Sequence, residues 1–134
     1  MVQIPAGTRG EHRLTVSSEI AIDFMSHPGA RVLATPHLIW NLEFAARDAI
    51  KPILGEEFDS VGTEVNVKHL AATPIGMSAT FRAEVIHQDG NRVRFRVEAF
   101  DEREKIAEGT HERYIVNIQR FIARLAAKTA EGAR

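Results

Sequence analysis

The stretch from Thr35 to Ile50, Thr-Pro-His-Leu-Ile-Trp-Asn-Leu-Glu-Phe-Ala-Ala-Arg-Asp-Ala-Ile, most constrains what this chain can fold into. Leu38, Leu42, Ala45, Ala46, Ala49, Ile50 and Ile53 recur at helical spacing, and Ile39, Trp40 and Phe44 widen that stripe until little of the helix is polar. A helix apolar nearly all round is expected to be buried, with the rest of the chain wrapped around it. Thr35 followed by Pro36 reads as its start: the hydroxyl caps a free backbone N–H and proline takes the first helical position. Pro52 and Gly55 place its end near Lys51. Glu43 stands on the apolar flank. A carboxylate there has to be paired, hydrogen-bonded or kept for chemistry, because burying an unpaired charge is very costly.

Around this helix the period changes to two. Gly10 to Val16 reads as a first short strand. Ser17 to Leu33 is irregular, and Ser26-His27-Pro28-Gly29 reads as a turn or flap, a candidate lid just ahead of the helix. After the helix, Val61, Thr63, Val65, Val67 and His69 fall on one face of a strand, with Gly62, Glu64, Asn66 and Lys68 on the other. A second strand carries Ala79, Phe81, Ala83 and Val85 on one face. Asp89-Gly90 is a tight-turn signal, and in the return strand Val93, Phe95, Val97 and Ala99 alternate with charged residues. A last strand, Ile106 to Asn117, leads into an amphipathic helix with Ile118, Phe121, Ile122 and Leu125 on one face. Consecutive strands with short turns favour antiparallel pairing over a doubly wound parallel sheet. The expected architecture is α+β, an antiparallel sheet curled around one long central helix, with a C-terminal helix. It forms a single domain over 1–134, with 1–9 a flexible N-terminal arm.

A chain of 134 residues can build a real core without staples. Net charge is −1, so no electrostatic footprint argues for a nucleic-acid partner. Cysteine is absent, which removes disulfides, thiolate nucleophiles and cysteine-based zinc sites together. The N-terminus lacks the basic start and apolar core of a signal peptide, and no apolar run approaches a membrane span. A cytoplasmic location with no membrane association is the expectation. The remaining histidines (His12, His27, His37, His87 and His111) have no paired spacing for a metal, so none is expected to bind one and they read as surface or loop residues, with His37 in the first helical turn read first as a plain helix residue and otherwise as lining the pocket mouth. Arg92, Arg94 and Arg96 make a basic stripe, read first as a solvated strand face and otherwise as a contact for phosphates or an acidic partner.

Three residues could carry chemistry. His69 is in phase with the core face of its strand, which is also the helix side, and partial desolvation there lowers a histidine pKa. Glu43 is a carboxylate from the helix. Thr35 supplies a hydroxyl at the helix N-terminus, where free N–H groups favour an oxyanion. Together they could support acyl transfer or hydrolysis. Spacing alone leaves open a capping threonine, a Glu43 bonded to backbone or arginine, and a core histidine.

Thr35-Pro36 with Glu43, the run Gly62 to Gly76 (Gly-Thr-Glu-Val-Asn-Val-Lys-His-Leu-Ala-Ala-Thr-Pro-Ile-Gly), and Glu108-Gly109-Thr110-His111-Glu112-Arg113 resemble the hotdog-fold acyl-CoA thioesterases of the fluoroacetyl-CoA thioesterase type. The resemblance runs from about Leu33 to the final helix. It implies the hotdog fold, hydrolysis of a small or medium acyl-CoA, and a catalytic set on Thr35, Glu43 and His69. Gly62 and Arg113 fall on positions that contact substrate in that family. It also implies a homodimer with two sheets joined edge to edge, and no cofactor, since CoA is part of the substrate. One departure concerns specificity: the lid's pair of phenylalanines is replaced here by the Ser26-His27-Pro28-Gly29 stretch. The alternatives are a non-catalytic module binding acyl-CoA or another apolar ligand, and an enoyl-CoA hydratase, whose Asp-x-Asn-Pro-x-His type of signature is missing.

Overall fold

A computed structural model describes residues 2–132. The chain runs β1 (Arg9–Thr15), β2 (Ala21–Ile22), β3 (Val32–Leu33), α1 (Thr35–Leu54), β4 (Phe58–His69), β5 (Ser78–Asp89), β6 (Arg92–Asp101), β7 (Lys105–Asn117) and α2 (Ile118–Gly132). Five strands form one antiparallel sheet in the order β1-β5-β6-β7-β4, and β2 pairs with β3 apart from it. The expected α+β arrangement around a central helix is what the chain adopts.

The core lies between that sheet and one side of α1. Phe81, Ala83 and Val85 of β5 and Val93, Phe95 and Val97 of β6 are buried against Leu38, Leu42, Ala45, Ala46 and Ile50. Each large side chain so buried contributes roughly 1.5–3 kcal/mol. Gly10 lets β1 approach the helix closely, since a Cβ there would run into the Ala45 carbonyl and Ala49. The helix is not buried all round as expected. Trp40 remains 54% exposed and Phe44 lies beside it on the surface, because the sheet curls around one side of the helix only. The far end also runs longer than the sequence suggests, to Leu54 with Pro52 inside. Lys51 Nζ donates to the carbonyls of Gly55 (2.9 Å) and Phe58 (2.7 Å), satisfying acceptors near that end.

Three further features depart from the simple meander. First, β4 and β5 are not a hairpin. The stretch Leu70–Met77 carries the chain from one edge of the sheet to the opposite side, where β5 pairs with β1. Buried Thr73 anchors this crossing through Oγ1 to Asp101 (3.0 Å) and through its carbonyl to the Leu33 N–H (2.8 Å). Second, a bulge interrupts β4 between Gly62 and Glu64. Val61 pairs with Tyr114 and Gly62 with Arg113, whereas past the extra residue Val65 pairs with His111 and His69 with Ala107. Paired residues share a face, so Gly62, Val65, Val67 and His69 all face the helix, while Val61 faces out. The strict alternation expected for this strand therefore fails at Thr63. Third, the segment ahead of β1, expected as a free arm, is docked. Ile4 is buried, its N–H donates to Gln88 Oε1 (2.7 Å), and Gly7 and Val85 are linked through the Gly7 N–H and Val85 carbonyl (2.8 Å).

The terminal helix begins where Asn117 Oδ1 accepts the Arg120 N–H (3.0 Å). Ile122 and Leu125, read as part of its apolar face, are exposed.

Candidate active site

Thr35 opens α1, but it is not the cap. Ala34 occupies that position, Thr35 and Pro36 form the first turn, and the Leu38 N–H makes the first intrahelical bond to the Ala34 carbonyl (3.0 Å). Released from capping, the Thr35 hydroxyl reaches across to the end of β4, where Oγ1 lies 2.8 Å from His69 Nδ1. Thr35 is exposed and His69 half-buried. Burial holds the His69 pKa below its ordinary value of 6.5, with the backbone of Ala71 partly opposing. His69 Nε2 is buried and makes no hydrogen bond of full geometry. In the tautomer that carries its proton on Nε2, the Nδ1 lone pair accepts from the threonine hydroxyl. Beside this pair the first-turn N–H groups of Thr35 and His37 have no intrahelical partner, and Pro36 has none to offer.

Glu43 lies two turns further along the same helix, about 12 Å by axial rise. It does not touch Thr35 or His69 within the chain. Its Oε1 instead faces Arg113 Nη1 (3.5 Å) and His111 Nε2 (3.8 Å). Arg113 is buried and held at both other corners, donating from Nε to Ser60 Oγ (2.7 Å) and from Nη2 to the Ser60 carbonyl (2.8 Å). His111 is 2% exposed. Its Nδ1 carries the proton, because the Glu64 carbonyl 2.8 Å away can only accept. Its Nε2 then accepts from Arg113 Nη1 (3.2 Å). Burial pushes the His111 pKa down and adjacent Arg113 adds to that, while the Glu64 carbonyl and Glu43 pull it up. Burial likewise lowers Arg113, against the raising effect of Glu43. The result is a neutral histidine behind a fixed guanidinium, with the carboxylate of Glu43 in front. Gly62 completes the group: a Cβ there would collide with Glu43 Oε1.

The five residues singled out in the sequence thus fall into two groups on one side of α1, Thr35 with His69 and Glu43 with Gly62 and Arg113. Sequence reading placed His111 among surface or loop histidines. It is a buried supporting residue, and its separation of two from Arg113 on one strand was the available signal. Ser60 and Asn41 were also missed. Asn41 is 7% exposed on the helix and donates to the His37 carbonyl (2.7 Å). The Arg92–Arg96 stripe is a charged outer face, as read, with Arg92 and Arg94 paired to Glu112 at 3.6 and 3.9 Å.

Comparison with known proteins settles the family. The model of the fluoroacetyl-CoA-specific thioesterase FlK matches residues 16–119, a span that includes both groups. The chain belongs to the fluoroacetyl-CoA-specific thioesterase family. Within it, the fluoroacetyl-CoA thioesterase of Streptantibioticus cattleyicolor is 38% identical over 101 residues, 75% of this chain and 73% of that protein. The solved structure of the fluoroacetyl-CoA thioesterase FlK superposes with a TM-score of 0.84 at 31% identity, covering 94% of this chain and 98% of that one. A Thermus thermophilus hypothetical protein of the thioesterase superfamily gives 0.83 at 30% identity, covering 98% and 99%. The fold of this family member is accordingly the hotdog fold.

Proposed function

We propose that this protein, a thioester hydrolase by its family, hydrolyses a small or medium acyl-CoA to the free acid and CoA at a site formed by Thr35, His69 and Glu43. CoA belongs to the substrate. The observation that carries the reading is the 2.8 Å contact between the exposed Thr35 hydroxyl and His69 Nδ1 at the helix N-terminus. In this reading the thioester carbonyl oxygen faces the free first-turn N–H groups, which stabilise the charge that develops on it. His69 Nδ1 takes the proton of the attacking hydroxyl, from water ordered by Thr35 or from Thr35 itself. A carbon–oxygen bond forms, the carbon–sulfur bond breaks, and the departing thiolate receives that proton. Where Thr35 attacks, a water deprotonated by His69 then cleaves the Thr35 ester, releasing the acid and returning the proton to the Thr35 oxygen.

Glu43 enters this scheme through a second copy of the chain. β4 is an edge strand with pairing groups free on its outer side, and Val65 at its middle is 40% exposed. Antiparallel pairing of two β4 strands about a two-fold axis near Val65 and Asn66 sets Gly62 of one copy opposite His69 of the other. The carboxylate of one protomer then approaches the threonine and histidine of its partner, closing the distance that separates them within one chain. We therefore read the working form as a homodimer with two composite sites. The proposal places the reaction in the cytoplasm.

The test is thiol release from a panel of acyl-CoAs by the wild type and by His69→Ala. Turnover of at least one substrate, lost in the variant with its fold intact, is expected. Near-normal rates in the variant would overturn the assignment. Saturable binding without turnover would make the chain a ligand-binding module.

A further inference from the structure

We propose that the acyl chain of the substrate lies in the groove between β2 and the first turn of α1, and that this groove selects a medium-length apolar acyl group over a two-carbon one. The inference rests on the thioesterase reading above and names its substrate class. The groove has a volume of about 360 Å³, with Glu19, Ile20, Ala21, Ile22 and Phe24 on one wall and Thr35 and His37 on the other. Because Thr35 is itself part of the lining, a carbonyl held at its hydroxyl sends one of its two arms into this space. The wall facing the threonine decides which arm. Apart from exposed Glu19 its side chains are apolar and suit a hydrocarbon, whereas the pantetheine arm of CoA carries two amides that need partners.

The mouth of the groove supports the same choice. Phe24 is 86% and Met25 78% exposed, two large apolar side chains in succession held out in solvent. Ser26, which follows them, takes a left-handed backbone (φ 53°) rarely adopted by a non-glycine residue. Adjacent exposed apolar groups at the lip of an apolar groove mark a surface that gains a partner when ligand is bound. An acetyl or fluoroacetyl group would leave most of the space unfilled and Phe24 uncovered. A six- to eight-carbon chain or an arylacetyl group fills more of that space.

The experiment measures steady-state thiol release with acetyl-, butyryl-, hexanoyl-, octanoyl- and phenylacetyl-CoA, together with inhibition by free CoA. It compares the wild type, Ala21→Phe, which fills the groove, and Phe24→Ala, which removes an exposed side chain and leaves the core untouched. Wild-type kcat/KM is expected to climb by about fourfold per methylene from acetyl to hexanoyl, the size of one buried methylene. Ala21→Phe should cut octanoyl-CoA turnover by about tenfold or more while acetyl-CoA changes less than about twofold. Phe24→Ala should lower the longer substrates alone, and free CoA should inhibit all three proteins equally. A wild type that prefers acetyl-CoA overturns the inference. So does an Ala21→Phe variant that lowers every substrate alike and weakens CoA inhibition, since that result puts the thiol arm in the groove. A wild type silent across the whole panel overturns the thioesterase reading itself and the inference with it.

Discussion

The Thr35 hydroxyl and His69 Nδ1 meet at 2.8 Å although they are 34 residues apart and lie on different elements. Removing either partner should therefore remove the same step. Thr35→Ala and His69→Ala are each expected to lower kcat by about 10²–10⁴-fold, with Thr35→Ser retaining most activity because it keeps the hydroxyl. Thr35 is exposed, so Thr35→Ala should shift stability by no more than about 0.5 kcal/mol. Thiol-release kinetics and thermal melts of the same samples check both statements.

The pH dependence follows from burial. In the proposed reaction His69 works as a base when neutral. Burial lowers its pKa from 6.5, and in the proposed dimer the partner's Glu43 opposes that. The His69 imidazole should therefore titrate at lower pH in Glu43→Gln than in the wild type. An NMR titration in which Glu43→Gln leaves the His69 imidazole unmoved would contradict the composite site. Stability follows from the same burial. Below pH 6.5 the unfolded chain protonates His69 and His111 before the folded one does, so the unfolded state binds more protons. Stability is therefore expected to drop as pH falls from 6.5 towards the lower folded values, and to level off beneath them. Urea titrations across that window measure the slope, and His111→Gln should reduce it.

Arg113 is fixed by shape as well as charge. Lysine cannot reproduce the paired bonds from Nε and Nη2 to Ser60 while also facing Glu43. Arg113→Lys should cost about 1–3 kcal/mol of stability, the scale of buried polar groups left unpaired, and should lower activity as well. Denaturant midpoints and kcat/KM on one preparation separate the two effects.

Gly62→Ala probes the position of Glu43 without touching it. The added methyl collides with Glu43 Oε1 and must displace the carboxylate, a flexible side-chain end that can yield. Activity should fall about tenfold or more while the melting temperature moves little. An active Gly62→Ala protein would show that the observed place of Glu43 is not needed.

Mixing inactive variants tests the composite site. When Thr35→Ala and Glu43→Gln proteins are unfolded together and refolded, random pairing makes half the dimers mixed, each with one intact site of two. About a quarter of wild-type activity should return. No recovery would place all three residues in one chain.

Much of this was legible because it depends on local periodicity. The helix was visible in Leu38, Leu42, Ala45 and Ile50, and β5 and β6 in the alternation of Phe81, Ala83, Val93 and Phe95. The interior role of His111 was not. A histidine in a charged stretch reads as surface, and only the pairing of β7 between β4 and β6, with Phe95 stacked on the ring, buries it. The crossing from β4 to β5 escaped for a related reason: Thr73 and Asp101 are distant in sequence, and their hydrogen bond exists only after the sheet has formed. The cap was misplaced by one residue, since Thr35 fits either role until His69 claims its hydroxyl.

The extra residue in β4 has a genetic corollary. Gly62 and His69 are seven positions apart, an odd number, so an uninterrupted strand would turn them to opposite sides of the sheet. Thr63 absorbs the mismatch. Loss of that one codon would keep the reading frame and leave every other amino acid in place, yet it would turn either the carboxylate's glycine or the imidazole proposed as the base towards solvent. Natural variation in strand length here is therefore constrained by parity, and sequences that keep both functional ends should gain or lose residues between them in pairs.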